Sequence, residues 1–132
     1  MAARCPCGLP AVIETYPRLD GEPFPTLFWL TCVRACRAIG RLEASGFMQD
    51  LTARLRSDDE FATAFAAAER DYVERRDALE RLPDGGGIGG GPSDRVKCLH
   101  AHLAHHLVCE CNPIGAWVQE QIGDVLRSPP CV

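Results

Sequence analysis

Apolar and polar positions change rhythm twice along this 132-residue chain, and the changes divide it. Ala11-Val-Ile-Glu-Thr-Tyr16 and Thr26-Leu-Phe-Trp-Leu-Thr31 are short runs of β-branched and aromatic residues, and each predicts a strand. Between them, Pro17 to Pro25 carries Asp20-Gly21 and three prolines, the composition of an irregular turn. A two-stranded antiparallel hairpin is the simplest arrangement. In such a pair the start of one strand faces the end of the other, so Cys5 and Cys7 should approach Cys32.

Beyond Cys32 the apolar spacing lengthens to three and four residues, the helical period. Thr31 is placed to cap a helix from about Cys32 to Ser45, with Gly46 as its stop. A shorter helix, Met48 to Arg56, follows. Ser57 is placed to cap a long helix whose Phe61, Phe65, Ala68, Tyr72, Leu79 and Leu82 share a face. Glu69, Arg70, Glu74, Arg75, Arg76 and Glu80 read as its solvated side. Pro83 to Pro92 is mostly glycine and reads as a flexible connection. It follows a helix and lacks a Gly-Lys-Ser/Thr ending, so a phosphate loop is not expected. Ser93 is placed to cap a helix reaching about Cys109. Asn112-Pro113 opens a last helix carrying Ile114, Trp117, Val118, Ile122, Val125 and Leu126.

The fold class that follows is α+β and mainly α, with a short N-terminal β-hairpin packed against four to five helices. One domain spans 1–132, divided into a Cys/Pro-rich hairpin (1–32), a helical part (32–82), a Gly-rich linker (83–93) and a helical pair (94–127).

Composition narrows the function classes. Hydrophobic residues make up 46% and charged residues 24%, as in a globular domain. A net charge of −4 supplies no basic field, so no nucleic-acid partner is expected. No apolar run, Leu27 to Leu30 included, comes near the ~20 residues of a membrane span, so no membrane partner is expected either. The chain reaches Cys5 without an apolar stretch, which predicts no signal peptide and a cytoplasmic location. In that reducing compartment eight cysteines read as ligands or thiols rather than disulfides.

Two motifs concentrate those ligands. In Arg4-Cys-Pro-Cys-Gly8 a proline stiffens the backbone between two cysteines, and Gly8 permits the tight turn that metal knuckles use. Lys97-Cys-Leu-His-Ala-His-Leu-Ala-His-His106 sets Cys98, His102, His105 and Cys109 at helical steps, beside an apolar stripe of Val96, Leu99, Leu103 and Leu107. The expected metal ligands are therefore Cys5, Cys7, Cys32 and Cys98, with His105 the first substitute, then His102 and His100. Zinc is favoured, with an iron–sulfur cluster as the alternative. Cys36, Cys109 and Cys111 read as packing residues and Cys131 as incidental.

The quoted segments Cys5 to Thr15, Pro23 to Cys32, Arg95 to Ala101 and Asn112-Pro-Ile-Gly115 resemble, in that order, the bacterial family of domain of unknown function 501. The resemblance covers nearly the whole chain and implies an actinobacterial type of member, in keeping with thirteen arginines against one lysine. It brings no activity, ligand or catalytic residue. Val33 stands where the family has proline, and the glycine-rich stretch and Cys109-Glu-Cys111 are local elaborations. The function expected is a metal-binding module whose structural metal clips the hairpin to the helices and which docks on an unknown protein partner. The alternative is a metal- or thiol-dependent enzyme, supported by more histidines than a closed four-ligand site needs.

Overall fold

The computed structural model describes residues 2–5, 8–83 and 85–126. Among the described residues five strands come first: β1 (Ala3–Arg4), β2 (Pro10–Glu14), β3 (Arg18–Leu19), β4 (Glu22–Pro23) and β5 (Phe28–Leu30). The hairpin expected from the apolar runs is β2 against β5, antiparallel, with Val12 opposite Leu30 and Ile13 opposite Trp29. Ala11, Val12 and Phe28 are buried, while the Ile13–Trp29 pair lies on the outer face. β1 adds an edge beside β2, and the intervening turn folds into its own small ribbon of β3 on β4. Asp20 and Gly21 close that ribbon with φ of 50° and 83°, the two positive values a tight two-residue hairpin needs.

The helices are α1 (Val33–Ala44), α2 (Phe47–Ser57), α3 (Asp59–Leu79), α4 (Leu99–Cys109) and α5 (Pro113–Ile122), so the protein is mainly helical with antiparallel strands at its N-terminus. None is long and apolar enough to cross a membrane, among the described residues. Three predicted caps are displaced. The Thr31 hydroxyl donates to the Pro10 carbonyl across the sheet (2.9 Å), leaving Cys32 as the N-cap of α1. Ser57 donates back to Ala53, and the Asp58 carboxylate accepts from Phe61 N–H to cap α3. α4 begins at Leu99, five residues after the start suggested by Ser93. The reason is tertiary: Val96 N–H donates to Thr52 Oγ1 of α2 (3.0 Å), which ties the approach to α4 in a non-helical path.

α4 is the central element. Leu99 and Leu103 pack with Ala35, Ile39, Phe65, Ile114 and Val118 in one apolar cluster. Ala101 and Ala104 pack with Val12, Phe28, Ala68 and Tyr72 in a second. α3 spans both through Phe61, Phe65, Ala68 and Tyr72, as its periodicity predicts, but Leu79 is exposed at the helix end and Leu82 lies beyond it. Arg76 departs from the solvated face assigned to it and is 1% exposed. Its guanidinium donates to the carbonyls of Gly86 (2.8 Å), Gly85, Gly87 and Pro25. The Gly-rich connection from α3 to α4 is therefore packed around a cation, with Gly85, Gly87, Ile88 and Gly91 buried. A Cβ on Gly85 or Gly87 would collide with the Arg76 or Glu69 side chain, which is why glycine suits the wrap.

Candidate metal centre

Among the described residues, metal-type side chains come together in two groups of opposite character. The first is Glu43, near the end of α1, with Cys98 and His100, at the start of α4; all three are half-buried, and their ligand atoms lie within 4.8 Å of one another. Cys98 is the N-cap of α4 in extended backbone, φ −146°, rather than a member of the helical face, so its thiol meets His100 and not His102. His100 Nδ1 stands 2.6 Å from Glu43 Oε1 and 4.0 Å from Cys98 Sγ. Its Nε2 faces the Cys36 carbonyl at 3.3 Å.

That carbonyl fixes the chemistry of the ring. A carbonyl oxygen only accepts, so Nε2 carries the hydrogen that reaches it. Nδ1 then turns toward a carboxylate and a sulfur, and only a cation, a proton or a metal ion, reconciles a lone pair with a carboxylate oxygen at 2.6 Å. An imidazole that donates through one nitrogen to a backbone carbonyl and offers the other to a metal is the arrangement that orients most histidine ligands. Tetrahedral N, O and S ligands at ~2.0–2.3 Å from one ion are roughly 3.3–3.7 Å apart. The spacings from His100 Nδ1, 2.6 Å to Glu43 and 4.0 Å to Cys98, lie either side of that range.

A cavity of about 360 Å³ opens beside this group, lined by Phe28, Trp29 and Leu30 of β5, by Gly89, and by Cys98, His100 and Ala101. The packed Gly-rich loop thus supplies one wall of it.

The second group is Asp71, His105, Cys109 and Cys111. Here the hydrogen bonds point the other way. Asn112 Oδ1 accepts from Ile114 N–H and Gly115 N–H, both 3.0 Å, capping α5 as Asn112-Pro113 suggests. Its NH2 is thereby turned to His102 Nδ1 and His105 Nδ1, each at 3.2 Å. Both Nδ1 atoms accept, so the His105 proton sits on Nε2 and is donated to Asp71 Oδ2 at 2.8 Å. Neither nitrogen of His105 is left for a metal. Burial, first, and then the neighbouring His105 push His102 down to about 3, against the Asn112 bond. Burial lowers His105 despite the Asp71 partner. Burial alone would raise Asp71, but the bonds from His105 and Arg75 outweigh it and leave it lowered. A neutral imidazole donating to an ionised carboxylate satisfies both.

The five expected ligands are distributed as follows. Cys98 is in the first group and His105 in the second. Cys5 and Cys32 are buried in the apolar cluster that holds Ala11 and Ala35. Among the described residues, Cys5, Cys32 and Cys98 do not fall within one set of mutually close ligand atoms. Cys7 and Cys131 lie outside the described residues. Burial, with Cys32 beside it, pushes the Cys36 thiol up, and the thiol packs on the Leu30 carbonyl. Cys109 and Cys111 are joined as a disulfide, against the expectation that the cysteines are ligands or thiols. Glu43 was missed by sequence reasoning, since nothing in Arg41-Leu-Glu-Ala44 distinguishes it from a solvated helix residue.

Comparisons with curated proteins and with solved structures find no match. A family model does match, over residues 1–120, under the description "Protein of unknown function (DUF501)". Since that match takes in the hairpin, the clasped loop and both groups of ligand-type residues, the chain belongs to the DUF501 family.

Proposed function

We propose that the protein binds one zinc ion through Cys98 Sγ, His100 Nδ1 and Glu43, with the fourth position turned to the adjoining cavity. The observation that carries this reading is the convergence of Cys98 Sγ, a Glu43 oxygen and a His100 ring nitrogen within 4.8 Å of one another, with His100 Nε2 committed to the Cys36 carbonyl. One sulfur, one nitrogen and one oxygen suit zinc, whereas an iron–sulfur cluster takes thiolates. Three protein ligands and an open position are the pattern of a reactive zinc, which polarises a bound water or carbonyl group. This supports a metal-dependent activity on a small ligand held against Phe28, Trp29 and Leu30, over a purely structural site. A centre of Cys5, Cys7, Cys32 and Cys98 would share only Cys98 with it.

Docking on a protein partner is the second reading. What favours it is the outward Ile13–Trp29 pair, 37% and 39% exposed on one face of the sheet.

The test is the zinc content of four folded variants. Cys98→Ser, His100→Ala and Glu43→Gln should each lose most of the zinc, while His105→Ala should keep it. Retention of zinc by all three of the former would refute the assignment.

A further inference from the structure

In the second group both nitrogens of buried His105 are committed, yet two sulfurs lie within 4.8 Å of a ring nitrogen of that imidazole and of its Asp71 carboxylate. From that geometry we propose that Cys109 and Cys111 form an exchangeable dithiol–disulfide couple, with Cys111 as the sulfur attacked and Cys109 as the sulfur released. The co-reactant is a dithiol, and the site is separate from the Glu43, Cys98 and His100 group proposed to hold zinc.

Access separates the two sulfurs. Cys111 is exposed in the turn after α4, while Cys109 is half-buried at the end of the helix. Cys109 Sγ accepts the Cys111 backbone N–H at 3.0 Å, so charge that develops there on bond breaking meets a donor already in place. Glu110, between them, has φ of +57°, a left-handed conformation that a non-glycine residue adopts at a cost. It is the C-cap of α4, with the Glu110 N–H donating to the His106 carbonyl at 2.7 Å, so the turn that presents Cys111 is held by the helix end itself.

The step balances as follows. A reductant thiolate attacks Cys111 Sγ, the S–S bond breaks, and its electron pair leaves on Cys109 Sγ, which takes a proton from water. The second thiol of the reductant then loses its proton and attacks the mixed disulfide. Cys111 departs as a thiolate and is protonated in turn. The protein gains two electrons and two protons, and the dithiol becomes a cyclic disulfide.

The test equilibrates the intact protein with mixtures of reduced and oxidised dithiothreitol, alkylates it, and reads the peptide containing Cys109 and Cys111 by mass. The peptide should pass between unmodified and doubly alkylated as the ratio changes, in both directions, with helical circular dichroism unchanged. A disulfide that resists excess dithiol until the protein unfolds would overturn the proposal, as would a peptide already alkylated in fully oxidised mixtures. The order of attack is read with a thiol-specific disulfide reagent. Cys109→Ser should form the mixed disulfide at Cys111 about tenfold faster than Cys111→Ser forms it at Cys109. Equal rates would refute the assigned roles.

Discussion

Asn112 acts on three histidines at once. Its side-chain NH2 serves His102 and His105, and its backbone N–H donates to His106 Nδ1 at 3.2 Å. Both amide ends are committed, so its removal orphans buried groups as well as a helix cap. Asn112→Ala should cost about 2–4 kcal/mol, summing the cap with unsatisfied imidazoles, as measured by urea melts. The same network sets an acid limit. His102 is neutral in the fold with a pKa of about 3, against the ordinary 6.5 of the unfolded chain. Below 6.5 the unfolded state binds the extra proton, so stability falls as pH drops from 6.5 toward 3. Between pH 7.5 and 5 the loss from His102 alone should be about 2 kcal/mol. In Asn112→Asp a carboxylate would face both imidazoles and favour their charged forms. Melts of that variant should start lower at pH 7.5 and lose less on acidification than those of the parent. A parallel loss would contradict the role given to the Asn112 amide. Sequence reading reached Asn112-Pro113 as the opening of a helix, because Asn-Pro before an apolar period has a local meaning. It could not reach the second duty, since which end of an amide faces a histidine is decided by the opposite end.

Elements came through unevenly for a similar reason. The α3 stripe of Phe61, Phe65, Ala68 and Tyr72 was legible because every member is apolar. Arg76 continues the same stripe, and the carbonyls of a glycine-rich loop take the place of apolar neighbours there. No periodicity marks a buried arginine. Arg76→Met should cost about 2–4 kcal/mol by orphaning those carbonyls. Arg76→Lys should recover only part of it, because an ammonium lacks the planar fork. Thermal melts of the two variants check the order. The α4–α5 contact is equally specific. A Cβ on Gly115 would overlap His106 Cβ and the His102 carbonyl, so Gly115→Ala should destabilise by about 3 kcal/mol through overpacking. The Asn112-Pro-Ile-Gly115 segment was noticed in the sequence, yet the close approach that requires glycine is visible only with both helices placed. The start of α4 was misplaced because Thr52, from a distant helix, supplies the bond that holds Val96 out of helical form.

At the scale of the whole molecule, the proposed ion ties the end of α1 to the start of α4, the helix on which both apolar clusters rest. Metal binding and stability should therefore be linked, and removal of zinc should lower the melting temperature. With free zinc at 100–1,000 times the dissociation constant the stabilisation is about 3–4 kcal/mol. The sequence pointed to Cys98 as a ligand and to metal chemistry near α4, since thiols and imidazoles cluster there. Glu43 joins from another helix, and only the packing of α1 on α4 brings it to His100. The most direct test of this account is X-ray absorption at the zinc edge on protein purified without oxygen. The account predicts a first shell of one sulfur at ~2.3 Å with the remaining ligands nitrogen or oxygen at ~2.0–2.2 Å. A shell of four sulfurs, or protein that binds no zinc, would contradict it.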